Sequence, residues 1–243
     1  MTLAAENLAI GQRLEGVSAS LERGAITAIC GPNGAGKSTL LSALAGLIAP
    51  DTGKVLLSGA PLSAISLRER ARRIGYLAQD GDVAWDVAVR NLVALGRLPH
   101  GDRGEEAIDA AIAALDLGEL QERPVSRLSG GEKARALLAR VLAGEPEWIL
   151  ADEPLAALDI GHQLRLIRYL RAAASGGTGV VLVLHDLALA MNHSDRVLVL
   201  HEGTLVADGV PEQALCAEII GNVWGVAARW LGDPGERSLL AHG

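Results

Sequence analysis

The chain has 243 residues with a formal net charge of −7, and 49% of the residues are hydrophobic although only 2% are aromatic and Phe is absent. This length allows one large domain or two small ones, with a core of aliphatic side chains that suits a parallel sheet covered by helices. The acidic balance argues against a nucleic-acid-binding surface and against a polybasic membrane anchor. No spanning apolar run or signal-peptide pattern is found, and two unpaired cysteines fit a reducing compartment, so we expect a cytoplasmic protein.

The first thirty residues predict a β-rich edge. Apolar alternation predicts strands over residues 3–10 and 17–21 on either side of a turn at Gly11, and a third strand over residues 25–30. A helix-like run follows at residues 38–47, after a glycine-rich stretch. This order is the strand, loop and helix arrangement in which phosphate-binding loops occur.

The glycine-rich stretch reads Gly31-Pro32-Asn33-Gly34-Ala35-Gly36-Lys37-Ser38 and fits the pattern G-x-x-x-x-G-K-[ST]. Its glycines let backbone N–H groups and the helix N-terminus face an anion. We expect Lys37 to reach the β- and γ-phosphates of a nucleotide and Ser38 to ligate Mg²⁺, with Thr39 beside them. The simpler alternative is a glycine-rich turn that binds nothing.

The middle of the chain predicts two strands and then a helical block. A turn at residues 51–53 precedes a strand at 54–57, and a second strand at 74–78 ends at Gln79. Apolar spacing is helical from 87 to 142, with a break at 101–104 and an amphipathic helix at 107–115. This block carries a second glycine-rich sequence, Leu128-Ser129-Gly130-Gly131-Glu132, where a helix N-terminus at Ser129 would suit an anion.

The α/β pattern then resumes. The predicted elements are strands at 148–151, 180–184, 196–200 and 203–206, helices at 160–174 and 187–192, and a helical tail from Pro211 onward.

Polar residues follow three of the apolar strands, at the sheet edge where parallel sheets bind ligands. Asp152 is expected to hold the hydration shell of Mg²⁺, and Glu153 to orient or deprotonate the attacking water. Gln79 can bind Mg²⁺ or the water, and His185 can donate a hydrogen bond to the γ-phosphate. Two acidic residues after a strand also cap helices, and a lone histidine after a strand is more often structural.

Taken together, these motifs resemble the ATPase subunit of ATP-binding cassette (ABC) transporters over essentially the whole chain. The matching elements, in family order, are residues 31–38, Gln79, residues 128–132, Asp152-Glu153, Ala157-Leu158-Asp159 and His185. The resemblance implies an α/β fold: a P-loop NTPase (RecA-like) core with a β-rich N-terminal edge and an inserted α-helical subdomain. Residues 1–243 would form one ABC ATPase domain, with the nucleotide-binding core at 1–86 and 145–210, the helical subdomain at 87–144 and a C-terminal tail at 211–243.

The resemblance also implies a head-to-tail homodimer with ATP and Mg²⁺ sandwiched between the copies. Ser129, Gly130, Gly131 and Asp159 of one copy would contact the nucleotide held by the phosphate loop, residues 31–38, of the other. Glu153, His185 and Gln79 would be the catalytic residues, and Ser38, Gln79 and Asp152 the metal-binding ones.

Two less specific motifs are similar to those of importer ATPases for iron-siderophore, haem and cobalamin. They are Leu95-Gly96-Arg97-Leu98-Pro99-His100 and Leu158-Asp159-Ile160-Gly161-His162-Gln163, although the latter also suits an ordinary first helical turn. Such a subunit would work beneath two transmembrane permease subunits, at the cytoplasmic face of the inner membrane. An extracytoplasmic binding protein would deliver the substrate, and no nucleic-acid partner is expected.

The sequence departs from this family at two places. Most relatives stack an aromatic ring on adenine from the first turn, whereas Ile10-Gly11-Gln12-Arg13 has none, and Leu155 replaces a small hydroxyl residue.

Two other functions stay open. A soluble cassette ATPase of DNA repair or translation is disfavoured by the acidic charge, the single cassette and the lack of a coiled-coil insertion. A non-hydrolysing regulatory module is disfavoured by Glu153 and His185.

Overall fold

The computed structural model describes residues 1–79 and 86–242. Its strands are β1 (Thr2–Ile10), β2 (Leu14–Glu22), β3 (Ile26–Cys30), β4 (Thr52–Leu57), β5 (Ala60–Pro61), β6 (Ile74–Leu77), β7 (Trp148–Asp152), β8 (Gly179–Val183), β9 (Arg196–His201), β10 (Thr204–Gly209), β11 (Ala227–Leu231) and β12 (Ser238–His242). Its α-helices are α1 (Lys37–Leu44), α2 (Leu67–Arg73), α3 (Val89–Ala94), α4 (Glu105–Ala114), α5 (Gly130–Ala143), α6 (Ile160–Ser175), α7 (Leu187–His193), α8 (Pro211–Ala214) and α9 (Ala217–Trp224).

A central sheet runs in the order β10-β9-β3-β8-β7-β6. Its strands pair in parallel except for β10, which is antiparallel to β9. Every residue of β3, β7 and β8 is buried, as expected for apolar strands covered on both faces. Alternate side chains of β3 therefore enter different cores: Ile29 lies in one with α1, and Ala28 lies in the other with α3 to α7.

A second sheet, in the order β2-β1-β4-β5, is antiparallel throughout. Its buried residues share a core with α1, which confirms the predicted β-rich edge beside the phosphate loop. Between β6 and β7 the chain forms α3, α4 and α5, so the predicted helical block is also confirmed. The fold is thus the expected α/β arrangement.

The predicted helical tail is wrong in its last part. The chain is helical in α8 and α9, but Gly225 then adopts a left-handed φ of 71° and β11 and β12 form an antiparallel hairpin. The predicted turn at 51–53 is also too long, because Thr52 and Gly53 already belong to β4. Helix α2 was not predicted: none of its residues is buried, so it lacks an apolar period.

The parallel strands bring the predicted polar residues to one edge. The carboxyl ends of β3, β6, β7 and β8 lead to the phosphate loop, Gln79, Asp152-Glu153 and His185 respectively. This edge is where open α/β sheets bind ligands. Over the part of the chain that the structure describes, no helix is long and apolar enough to cross a membrane.

Candidate nucleotide site

The phosphate loop is folded around the side chain of Lys37. Lys37 is only 6% exposed, and its Nζ donates hydrogen bonds of 2.9 Å to the carbonyl oxygens of both Gly31 and Pro32. Burial lowers the pKa of this amine, and the negative charge of Glu153 opposes the shift. The lysine is therefore a desolvated cation held by weak neutral acceptors, which an anion can displace.

Two glycines of the loop are required by close backbone packing. Gly31 has a φ of 152°, and a Cβ there would lie 2.2 Å from the carbonyl oxygen of Leu200. Gly36 has a φ of 99°, and its Cβ would lie 2.5 Å from the carbonyl oxygen of Arg13. No larger residue fits either position. The second contact also places the turn that contains Arg13 directly against the loop.

Asp152, the last residue of β7, is a buried carboxylate. It is 3% exposed, and its Oδ1 has no hydrogen-bond partner. Burial raises its pKa, and the nearby hydroxyl of Ser38 opposes the shift through a hydrogen bond. A buried oxygen without a partner is costly, so the pair of Asp152 and Ser38 fits an oxygen-binding cation such as Mg²⁺.

Glu153 and His185 are directly paired. His185 Nε2 lies 2.6 Å from Glu153 Oε1, with the histidine side chain 43% exposed and the glutamate 15% exposed. The two residues follow the neighbouring strands β7 and β8, where Asp152 aligns with Val183. Glu153 has a φ of 50°, a strained left-handed conformation for a residue other than glycine. Such strain persists where the surrounding structure enforces it.

A cleft of about 570 Å³ separates this edge from α5. Gln79, Asp152 and Glu153 line one wall, while Gly130 and Lys133 line the other. Four predicted site residues therefore meet in one cleft. Lys133 was not predicted from the sequence, although its place three residues after Gly130 puts it on the same helical face.

The start of α5 is fixed by a capping box. Ser129 Oγ accepts a hydrogen bond from Glu132 N at 3.4 Å, and Glu132 Oε2 accepts one from Ser129 N at 2.8 Å. These hydrogen bonds lower the pKa of Glu132. Gly130 is exposed, and a Cβ on it would meet nothing within 4 Å. Packing within the chain thus gives no reason for glycine at this position.

Asp159 is the N-cap of α6. Its Oδ1 accepts a hydrogen bond from His162 N at 2.9 Å, and its Oδ2 lies 2.8 Å from His162 Nδ1. The amide of Gln163 donates to the carbonyl oxygen of Leu155 at 3.0 Å. Asp159, His162 and Gln163 thus make the contacts of an ordinary first turn. Among the described residues, no hydrogen bond joins Asp159 or Ser129 to the chain's own phosphate loop.

Comparisons with known proteins agree with this geometry. A family model for "ABC transporter" matches residues 14–156. The chain is 42% identical over 240 residues to the hemin import ATP-binding protein HmuV of Myxococcus xanthus, covering 93% of this chain and 90% of that protein. It is 39% identical over 228 residues to the ferric enterobactin transport ATP-binding protein FepC of Escherichia coli, covering 90% and 84%.

A solved structure has the same fold over the full length. It shows the inward-facing conformation of an ABC transporter described as metal-chelate type, with a TM-score of 0.82 at 25% identity, and the match covers 100% of this chain and 98% of that one. The residues at the sheet edge, the family model and these relatives all point the same way. The chain belongs to the ABC transporter family.

Proposed function

We propose that this chain binds ATP on its phosphate loop and hydrolyses it at Glu153 to drive import through separate permease subunits. The observation that carries the proposal is the contact of 2.6 Å between Glu153 and His185, beside the buried Asp152 and the buried Lys37. Together these residues would supply a carboxylate base, a hydrogen-bond donor and a cation at one sheet edge.

The phosphate loop would hold the nucleotide through backbone donors and one lysine. The triphosphate would take Lys37 Nζ from the carbonyl oxygens of Gly31 and Pro32, which bind it in the structure. The amides at the start of α1 would add donors, with the positive end of the helix dipole. An anionic phosphate would bind the desolvated amine of Lys37 more strongly than the two neutral carbonyl oxygens do.

Glu153 would orient and deprotonate the attacking water, with His185 as its switch. In the structure His185 is hydrogen-bonded to Glu153, so this carboxylate would not be free to act as a base. When a γ-phosphate is present, His185 would turn its hydrogen bond toward the phosphate and release Glu153 to the water. Gln79, which lines the same cleft, would hold the water from the other side.

Ser38, Asp152 and Gln79 are the residues that would hold Mg²⁺. The unpartnered buried Oδ1 of Asp152 and the neighbouring hydroxyl of Ser38 support this assignment. When bound, the ion would neutralise the charge that develops on the phosphate oxygens.

A second copy of the chain would complete the site. Ser129, Gly130 and Gly131 begin a helix whose N-terminus is exposed, and packing within one chain does not explain Gly130. An exposed helix N-terminus binds anions, so we infer that it meets the γ-phosphate held by the other copy. Asp159 would lie at the same interface while it caps α6.

We also propose that residues 87–144 form the helical subdomain and that residues 211–243 form the C-terminal tail.

The transported substrate is inferred from the relatives. HmuV is a hemin importer by its name and FepC a ferric enterobactin one, so we propose an iron-containing chelate, either haem or a ferric siderophore. Such substrates would need two permease subunits and a binding protein outside the membrane, which would bring this subunit to the cytoplasmic face.

The test is reconstitution with candidate permeases, chosen from the genes that neighbour the gene of this chain, in liposomes with ATP inside. The binding protein would be added empty, with haem, or with a ferric siderophore. We expect one loaded form to stimulate hydrolysis and to load the liposomes with iron, and the Glu153→Gln variant to do neither. If the chain fails to join any permease and instead binds ribosomes or DNA at physiological salt, the importer function is wrong.

A further inference from the structure

The C-terminal hairpin is fastened to α7 mainly by the side chain of Asn192, and the Arg237 guanidinium adds a weaker hydrogen bond of 3.6 Å to Met191 Sδ. Asn192 Nδ2 donates a hydrogen bond of 2.8 Å to the carbonyl oxygen of Arg237, and Asn192 Oδ1 accepts one of 2.8 Å from Arg237 N. The amide thus pairs with the main chain before β12 as a neighbouring strand would. A side-chain amide carries a donor and an acceptor side by side, which fits the carbonyl oxygen and N–H of one residue.

The two hydrogen bonds between Asn192 and Arg237 form a clamp at the C-terminal end of α7, and His185 lies just before the other end of this helix. With seven residues it is about 10 Å long. Asp186 caps its start, since Asp186 Oδ1 accepts hydrogen bonds from Ala188 N at 2.8 Å and from Leu189 N at 3.1 Å. His185 immediately precedes this cap. Leu187 and Met191 are buried, so the helix is packed against the core between Asn192 and His185.

We propose that Asn192 is a positioning residue for hydrolysis, which acts through α7 to hold His185 where its ring can turn from Glu153 to a γ-phosphate. The inference rests on the ATPase function proposed above. The hairpin would then set how well the His185 ring is placed for its hydrogen bond to a γ-phosphate, although the hairpin touches neither the phosphate loop nor the cleft in the described structure. A change in the hairpin would therefore alter the rate of hydrolysis without altering the affinity for ATP.

The hairpin also has an anchor that does not involve α7. Trp230 Nε1 donates to the carbonyl oxygen of Leu215 at 2.7 Å, and Ala228, Trp230 and Leu239 pack against the core. The hairpin should consequently stay folded when the clamp is removed. Trp230→Phe removes the indole donor and part of the ring but keeps an aromatic side chain, so it is a control that loosens the hairpin away from α7.

The test is a double-mutant cycle on the full chain, with ATP hydrolysis and thermal stability measured for each variant. Asn192→Ala should lower kcat roughly 3- to 30-fold, the range that positioning networks reach, with KM for ATP unchanged within about twofold. Trp230→Phe should leave kcat unchanged. In a His185→Ala background, Asn192→Ala should have no further effect, because both changes remove the same function.

An equal loss in both backgrounds would overturn the proposal, since Asn192 would then act without His185. An equal loss with Trp230→Phe would also overturn it and indicate general loosening. A second measurement applies where His185→Ala is too slow to assay: Asn192→Ala should shift the ring resonances of His185 in NMR spectra, and Trp230→Phe should not. A wild-type chain without ATPase activity would instead refute the proposed function, so the two failures are distinct.

Discussion

At the scale of single residues, the site is built at a cost to stability. Glu153 sits in the left-handed region, which costs a residue with a side chain roughly 1–2 kcal/mol. Asp152 is buried with an unpartnered oxygen, and Lys37 is desolvated. Strain and desolvation of this kind collect at functional sites, where the ligand relieves them.

The first prediction concerns Asp152→Asn without nucleotide. Burial raises the folded-state pKa of Asp152, so the folded protein binds this proton more tightly than the unfolded chain does. Stability from this group is therefore present below the unfolded pKa and is lost as pH rises through the folded pKa. Above the raised pKa the wild type carries the penalty of a buried charge, so Asp152→Asn should be more stable by thermal denaturation in that pH range.

The pH dependence is the check on that prediction. The advantage of Asp152→Asn should shrink as pH falls through the raised pKa, because the wild type then becomes protonated. Above the raised pKa, Mg²⁺ and ATP should make the wild type the more stable of the two proteins, since only the wild type has the carboxylate that would bind the cation. An advantage that is independent of pH would mean that the charge of Asp152 is not the cause.

The second prediction concerns Arg13, in the turn that packs against Gly36. The side chain of Arg13 is exposed, and the turn carries no aromatic ring. Loss of base stacking costs about 1–3 kcal/mol in nucleic-acid binders, and a guanidinium over the base can recover part of it. We expect weaker ATP binding or less base selectivity than in relatives with a ring, and a further loss with Arg13→Ala. A strong preference for ATP over GTP that survives this change, measured by titration, would show that another group holds the base.

At the scale of elements, α5 gives the sharpest test of the site in the second copy. Gly130→Ala should leave the fold intact or stabilise it by up to about 1 kcal/mol, because alanine favours helices and the position is open. A methyl group would, however, crowd a nucleotide bound by the partner. Overpacking costs about 1–3 kcal/mol, so hydrolysis should fall roughly 5- to 150-fold.

The matched control for that change is Gly118→Ala. Gly118 is also exposed, and a Cβ added to it would meet nothing within 4 Å, but it lies outside the cleft. It should alter neither thermal stability nor hydrolysis by much. Full activity of Gly130→Ala would exclude close approach of a nucleotide to this helix.

The elements also define what the sequence could predict. The buried strands β3, β7 and β8 are uninterrupted apolar runs, so their ends, and with them most of the site, were predictable. Helix α2 buries none of its residues, yet Ser66 and Glu69 form the capping pattern that would have located it. The predicted helical tail does not contain the hairpin of β11 and β12, because the prediction did not end the helix at Gly225, the left-handed C-cap of α9.

Some features of the site depend on three-dimensional packing and leave no local signal. The contact between Glu153 and His185 joins residues 32 apart in the sequence, through the pairing of β7 with β8. The left-handed backbone of Glu153 is likewise set by its surroundings, since glutamate itself disfavours it. The clamp of Asn192 on Arg237 has no counterpart in the predicted helical tail, because it joins α7 to the main chain just before β12.

At the scale of the whole molecule, the chain should hydrolyse ATP alone and transport nothing. Hydrolysis needs only the residues at the sheet edge and a second copy, whereas transport needs a path through the membrane. Purified chain should therefore show ATPase activity, and liposomes that carry it without a permease should take up no chelate. Uptake by the chain alone would contradict this division of roles.

The central claim is that two copies close on ATP and that Glu153 then reopens them by hydrolysis. Size-exclusion chromatography with Mg²⁺ and ATP tests it most directly, on the wild type, Glu153→Gln and Lys37→Ala. Glu153→Gln should lose hydrolysis by at least roughly 10²–10⁴-fold, keep ATP binding and elute as a dimer, while the wild type dimerises only transiently. Lys37→Ala should stay monomeric, because it loses the γ-phosphate contact. Near wild-type hydrolysis by Glu153→Gln, or an ATP-bound form that stays monomeric even with its permease, would contradict the claim.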